Sequence, residues 1–275
     1  MKFAASGAET GYIDLARALS AVNGKSITQT KRSDGKYKPL GYLIRVRSLG
    51  GTTVTVQSLN CGYPTRNAVV LAGHARDEML KKSGISRGNL ESYQKELRLK
   101  FEKEMIQDDI FFPGATDVGP SSGGWGNGVT FDYTRLIFDD PDAPGNGLSM
   151  PLCVLGDMPA DWSTATAIPV IDQWYAWRKS FTPSAEDNMI AENAFSFVIN
   201  QSSTAEDVVQ MIDDSQDEKP YDLAEFSQAG MKFVLSTEVG NPTSSTFCAP
   251  LGLLKIITQG SAASWEIEVL GFTEL

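Results

Sequence analysis

The sequence is poor in the residues that build most metal and redox sites. Its 275 residues include one histidine, His74, and three widely spaced cysteines, Cys61, Cys153 and Cys248, without a CxxC pair. This set supports neither a zinc site nor a disulfide framework. His74 lies on a predicted helix, and no GxSxG motif offers it a serine, so a Ser-His-Asp type of triad is not expected either.

Long apolar runs and cofactor-binding motifs are also missing. No run approaches the ~18 apolar residues of a membrane span, and residues 1–10 lack the apolar block of a signal peptide, so we expect neither a span nor Sec-type export. Residues 119–128 are rich in glycine but lack the GK[ST] ending of a phosphate-binding loop. Residues 139–147 resemble a calcium loop only in composition, because the ligand spacing is absent. The sequence therefore predicts no cofactor and no metal.

Charge is distributed unevenly along the chain. Residues 1–110 hold eighteen lysines and arginines against eleven acidic residues, whereas residues 111–275 hold six against twenty-three. This asymmetry suggests that the first part meets a polyanion, although solvated lysines on early helices would give the same count. Residues 1–40 are predicted to form an extended basic arm. The candidate nucleic-acid-binding residues are Lys25, Lys31, Arg32, Lys36, Lys38, Arg45 and Arg47.

Alternating apolar and polar residues predict a mainly β fold. The clearest strands are two in the last 33 residues, whose apolar side chains we expect to end inside a core. A hairpin is predicted over residues 41–58, with Gly50-Gly51 as its turn. Further strands are predicted at residues 129–138, 150–155, 194–200 and 231–238.

Helices are predicted as excursions between these strands. Thr65 caps the first and Asn89 the second, which runs to Met105; a third spans residues 167–180. About eight strands without regular strand–helix alternation favour an antiparallel eight-stranded jelly-roll sandwich. We expect a single domain over residues 41–275, with helical insertions at about 65–106 and 167–180.

Two stretches resemble the jelly-roll capsid proteins of small, tailless icosahedral viruses with circular single-stranded DNA genomes: FDYTRLIFDDPDAPGNGLSMPLCVL, and the ending from APLGLLKI to EIEVLGFTEL. The resemblance transfers no site residues. It implies a coat protein without enzymatic activity that self-assembles into an icosahedral shell and encloses its genome, without sequence preference, through the basic arm. It places the chain in the virion, assembled in a host cell, with exterior loops as the expected contact for a host receptor.

Two other functions stay open at this stage. A carbohydrate- or receptor-binding β-sandwich module would need an exposed aromatic platform. Trp125, in the glycine-rich loop, is the best candidate for it, because Trp174 and Trp177 share a helix face typical of core packing. A jelly-roll hydrolase would need a pair of catalytic acids, and none stands out among the 34 acidic residues.

Overall fold

The computed structural model describes residues 1–50, 53–90, 95–114, 133–139, 143, 145–157, 159, 161–179, 232–235, 237–238, 241–260 and 262–275. The helices are α1 (Leu15–Asn23), α2 (Tyr63–Lys82) and α3 (Val170–Lys179). The strands are β1 (Lys2–Ala5), β2 (Thr10–Asp14), β3 (Thr30–Ser33), β4 (Lys36–Gly50), β5 (Val54–Ser58), β6 (Lys100–Glu102), β7 (Arg135–Asp139), β8 (Gly147–Leu155), β9 (Ile168–Pro169), β10 (Lys232–Leu235), β11 (Thr237–Glu238), β12 (Asn241–Pro242), β13 (Ser244–Pro250), β14 (Leu253–Thr258) and β15 (Ala263–Glu274). The fold is mainly β, as the alternation predicts.

Two antiparallel sheets share one core. The first sheet has the order β1-β15-β4-β13, with β3 also paired to β4, and the second has the order β10-β5-β14-β2. Ile44 and Trp265 of the first sheet and Val56 of the second are fully buried in the same apolar cluster. Because the inward residues of both sheets alternate with outward polar ones, the sheets stack face to face.

A third sheet and the helices form a second core beside the first. This sheet has the order β6-β8-β7 with β9 paired to β8, and it mixes antiparallel β7/β8 with parallel β6/β8 and β8/β9 pairs. Buried residues of α2, α3 and β8 share one cluster that includes Ala72, Leu152 and Trp174. The burial of Trp174 agrees with the predicted core role. Within the described residues, no helix is long and apolar enough to span a membrane.

The hairpin predicted over residues 41–58 is wrong. β4 pairs with β15 and β13, whereas β5 pairs with β14 and β10, so the two strands lie in different sheets. Alternation fixes a strand and its buried face but does not choose the partner strand. β4 therefore ends at Gly50 in the first sheet, and β5 begins at Val54 in the second.

The predicted pair of C-terminal strands is three strands in the structure. The chain leaves β13 at Leu251 and Gly252, which have φ of +59° and +68°, and crosses from the first sheet to β14 in the second. It then returns to the first sheet as β15, where Ile267 is buried as expected. The expectation that the last apolar residues are buried is wrong for Leu270 and Phe272, which are 42% and 55% exposed.

The predicted second helix, from Asn89 to Met105, is also wrong. The structure has a short 3₁₀ turn at Arg87–Asn89 and the strand β6 at Lys100–Glu102. Leu97, Leu99 and Phe101 are all buried, which is a period of two rather than the period of three or four read from the sequence. The first and third helices are confirmed as α2 and α3, although α2 begins at Tyr63 rather than at a Thr65 cap.

Residues 1–40 are part of the folded body, which corrects the prediction of an extended arm. β1 pairs with β15, β2 with β14, and β3 with β4. Phe3 stacks on Trp265 with ring centroids 6.2 Å apart, and Ile13 is fully buried. The boundary predicted at residue 40 falls inside β4, because the C-terminal strands need these residues as sheet partners.

Candidate nucleic-acid interface

Four of the predicted basic residues lie on one tight hairpin, residues 30–40, which we call the basic hairpin. Asp34 and Gly35 form its turn with φ of +52° and +76°, a pair of positive angles that defines a type I′ turn. An Asp-Gly dipeptide is the strongest short-range signal for such a turn, and sequence reasoning missed it. The resulting register places Lys31 opposite Lys38 and Arg32 opposite Tyr37.

One face of the basic hairpin meets the end of β15. Lys31 forms an ion pair with Glu274, and the Nζ of Lys38 lies 3.7 Å from the other carboxylate oxygen of Glu274. The hydrogen bond and charge of Lys31, assisted by Lys38, lower the pKa of the Glu274 carboxyl. Lys36 is exposed, and it contacts no acidic side chain within the part of the chain that the structure describes.

The other face of the hairpin carries an arginine cluster, formed by Arg32, Arg76 and Arg87 around Tyr37 and Asp77. Two of its guanidinium groups bind the Asp77 carboxylate, Arg32 at 2.9 Å and Arg87 at 3.1 Å. The same two groups lie 5.5 Å and 5.2 Å from the centroid of the Tyr37 ring. Arg76 donates a hydrogen bond to the Tyr37 hydroxyl at 2.9 Å, so all three arginines converge on one tyrosine.

Helix α2 positions this cluster through a glycine. A Cβ at Gly73 would lie 2.2 Å from Cδ2 of Tyr37, so the ring packs directly on the helix backbone. Arg76 and Asp77 follow one turn later on the same helix. Arg76 and Arg87 also donate to the carbonyl oxygen of Lys95, at 3.4 Å and 3.0 Å, which ties the helix to the segment before β6.

The cluster has more positive than negative charge. Two guanidinium groups, those of Arg32 and Arg87, stay protonated at any physiological pH and share the carboxylate of Asp77, the acidic side chain that they bind among the described residues. Arg76 is buried, whereas the side chains of Arg32 and Arg87 keep 35% and 28% of their surface exposed. The unbalanced charge therefore reaches solvent through two planar groups that can each bind an anionic oxygen pair.

Lys25 is exposed on the segment after α1, where it follows Gly24, the left-handed residue that ends the helix. The neighbouring Ser26 donates a hydrogen bond of 2.9 Å to Glu96, the residue after the Lys95 carbonyl that accepts from the arginines. Lys36 lies opposite Ser33, on the face of the hairpin that also carries Lys31 and Lys38. We call the arginine cluster, together with the exposed Lys25 and with Lys36 on the opposite face of the hairpin, the basic interface.

Arg45 and Arg47 occupy a different surface. Both are exposed on the outward face of β4, and Arg45 forms an ion pair of 3.1 Å with Glu268 of β15. The strand register places Arg47 opposite Glu266 in the same way. We call these four residues the charge ladder. Each of its basic side chains faces an acidic one, so this surface is close to neutral.

Two residues of the basic interface, Arg76 and Arg87, were missed by sequence reasoning. Arg76 continues the buried stripe of Ala68 and Ala72 at the next step of four, and an arginine on an apolar stripe signals a specific partner. Arg87 has no such signal, because the sequence places it just before a predicted helix that does not form. Its role depends on its contacts with Asp77 and with the carbonyl oxygen of Lys95, which only the folded chain defines.

A cavity of about 520 Å³ lies between β2, β6 and β14. It contains acidic side chains, so it is the place to look for the acid pair of a hydrolase. Glu102 accepts a hydrogen bond from the Tyr12 hydroxyl and forms an ion pair of 2.5 Å with Lys255. Burial, with the nearby Glu102 carboxylate, raises the pKa of Tyr12 well above its usual value. Tyr12 of β2 and Lys255 of β14 both donate to Glu102 of β6. This is the arrangement of a buried ion pair that joins strands.

Other predicted site residues are placed as follows. His74 is an exposed helix residue of α2. Trp125 and part of the loop at residues 139–147 lie outside the described residues, as does the strand predicted at 194–200. Among the residues that the structure describes, no three histidine, cysteine or acidic side chains form a cluster able to hold a metal ion.

Comparison with known proteins assigns no family to this arrangement. No protein family, curated protein or solved structure matches the chain.

Proposed function

We propose that this chain is a viral coat protein that self-assembles into an icosahedral shell around a single-stranded DNA genome. In this proposal the eight strands in the orders β1-β15-β4-β13 and β10-β5-β14-β2 form a jelly roll, to which β3 adds through β4. The shell is made in a host cell and released as the virion. The observation that carries the proposal is the basic interface, where three arginines surround Tyr37, two of them share Asp77, and Lys25 and Lys36 are exposed on nearby segments of the chain. The acidic second part of the chain faces outward and offers its loops to a host receptor.

The basic interface replaces the extended arm as the proposed contact with the genome. A guanidinium group binds two phosphate oxygens at once, and each neutralised phosphate releases condensed counterions into solution. This contribution does not depend on base identity, which suits a protein that must enclose a whole genome. The interface sits on a hairpin and a helix rather than on a tail, so it presents its charge in one fixed arrangement.

Exposed apolar side chains near the C-terminus support self-contact. Leu270 and Phe272 flank Gly271 at a register shift in β15, and they are 42% and 55% exposed. We call these two residues the apolar edge. Phe272 lies opposite Tyr42 of β4, and the two ring centroids are 4.9 Å apart. Apolar groups gathered on a surface are typical of contacts between subunits, and a shell requires each subunit to make several.

Electron microscopy of the purified protein tests the assembly. We expect closed particles that contain nucleic acid resistant to nuclease, measured by the ratio of absorbance at 260 and 280 nm. Leu270→Ser with Phe272→Ser should prevent assembly while the circular dichroism spectrum is kept. Leu49→Ser is the matched control, because Leu49 is similarly exposed on β4 but lies away from the apolar edge. A strict monomer at high protein concentration, in both low and high salt, would contradict the proposal.

A further inference from the structure

Cys61 and Cys248 lie together although 187 residues separate them in the chain. Cys61 precedes α2, and Cys248 lies on β13, the last strand in the order of the first sheet. The Sγ of Cys61 donates a weak hydrogen bond to the carbonyl oxygen of Cys248 at 3.8 Å, so the side chain of Cys61 reaches the other cysteine residue. A Cβ at Gly41 would lie 2.5 Å from the Sγ of Cys248, so the glycine leaves room for this thiol.

The chemistry of the pair suits oxidation. The hydrogen bond from the Cys248 thiol lowers the pKa of Cys61 to about 7, against the opposing effect of burial. Cys61 is exposed and Cys248 is half-buried. A dissolved disulfide can therefore reach a sulfur that is partly thiolate near neutral pH, and the thiolate is the reactive form.

Cys153 provides a contrast within the same chain. It is fully buried, its Sγ lies 3.3 Å from the carbonyl oxygen of Leu155, and burial raises the pKa of its thiol to about 12. It has neither the access nor the ionisation that exchange requires, so it serves as an internal control.

We propose that Cys61 and Cys248 are a redox-active pair that closes reversibly into an intramolecular disulfide, with a low-molecular-weight disulfide such as oxidised glutathione as the oxidant. The Cys61 thiolate attacks one sulfur of the oxidant, forms a mixed disulfide and releases one thiolate. Cys248, after losing its proton, attacks the Cys61 sulfur and releases the second. The protein loses two hydrogens and two electrons, and the oxidant leaves as two thiol molecules.

The bond would join two layers of the fold. It would fasten the edge strand β13 to the segment that begins α2, and α2 carries Arg76 and Asp77 of the basic interface. A cross-link that spans so much of the chain restricts the unfolded state more than a short one does. Oxidation should therefore raise the melting temperature by roughly 5 °C or more.

Thiol titration of the native, full-length protein tests the proposal. Reduced protein, freed of dithiothreitol and then unfolded, should show three reactive thiols. Protein that is incubated in its folded state with excess oxidised glutathione at pH 8, and then unfolded, should show one. The oxidised protein should also have a mass lower by two hydrogens and a higher melting temperature. Dithiothreitol should reverse all three changes.

Single variants separate this bond from others. Cys61→Ser and Cys248→Ser should each remove the melting-temperature rise, whereas Cys153→Ser should keep it. A glutathione adduct retained on wild-type Cys61, a covalent dimer, or an unchanged count of three thiols would each overturn the proposal. Cys61 is exposed, so its serine variant should fold, and a folded variant that still loses two thiols would also overturn it.

Discussion

The charge ladder and the arginine cluster contain similar residues but differ in their balance of charge. On the ladder, Arg45 pairs with Glu268 in an exposed contact, and Arg47 lies opposite Glu266. In the cluster, Arg32 and Arg87 share Asp77, and together with Arg76 they surround the ring of Tyr37. Of these two regions, the cluster has more basic than acidic groups in contact among the described residues, whereas the ladder has equal numbers.

The difference shows that a polyanion site depends on which acids the fold brings close, and not on the density of basic residues along the chain. The acidic partners of the ladder come from β15, more than two hundred residues away from β4. The second guanidinium group on Asp77 comes from Arg87, which lies outside the basic segment of the sequence.

The largest expected difference between the two regions is in stability. Asp77→Ala should lower the free energy of unfolding by about 2 to 3 kcal/mol, because the partly buried guanidinium groups of Arg32 and Arg87 would lose their shared carboxylate. Glu268→Ala on the ladder should lower it by less than about 0.5 kcal/mol, since an exposed ion pair contributes little. Urea unfolding followed by circular dichroism measures both, and equal losses would show that the cluster is no more tightly coupled than the ladder.

Gly73→Ala should have the next largest effect. The added methyl group would lie 2.2 Å from the Tyr37 ring, which cannot yield without leaving Arg76 and the helix backbone. We expect the free energy of unfolding to fall by about 2 kcal/mol, which is typical of overpacking. The chemical shifts of the Tyr37 ring in NMR spectra should change as well.

Gly7→Ala is the control for this substitution, because a Cβ at Gly7 would meet no atom within 4 Å. Similar stability of the two variants would mean that the ring does not require the glycine.

The smallest expected effect concerns pH and the lysine face of the basic hairpin. Lys31 and Lys38 lower the pKa of Glu274, so the stabilisation from this contact is present above the ordinary glutamate pKa and is lost as the pH falls through the lowered value. An NMR titration should find Glu274 below the ordinary value in the wild type and closer to it in Lys31→Met. An unchanged Glu274 titration in Lys31→Met would contradict the assigned cause.

Local patterns in the sequence predict the strands and the buried faces well. The alternation in residues 263–269 places Trp265 and Ile267 in the core, and the apolar stripe from Ala68 to Ala72 marks the buried side of α2. These features follow from the period of two residues in a strand and of 3.6 residues in a helix, which can be seen directly in a sequence. The sequence does not show which strands pair, so it predicts one hairpin for β4 and β5 although they lie in separate sheets.

The basic interface could be predicted only in part. The lysines and Arg32 are visible as a basic segment, and Asp34-Gly35 would have revealed their hairpin. The ion pairs to Asp77 and Glu274 depend on contacts between distant segments, so no local pattern predicts them. The same limit applies to the neutral character of Arg45 and Arg47.

The most direct test compares the affinity of two matched double variants for a fluorescein-labelled oligodeoxythymidine, measured by fluorescence anisotropy over a range of salt concentrations. Lys25→Gln with Lys36→Gln removes two charges from the basic interface, and Arg45→Gln with Arg47→Gln removes two from the charge ladder. The account predicts that the first pair weakens binding about tenfold at low salt and reduces the salt dependence by about two counterions, whereas the second changes affinity less than about twofold. The reverse order, or equal losses for the two pairs, would contradict it.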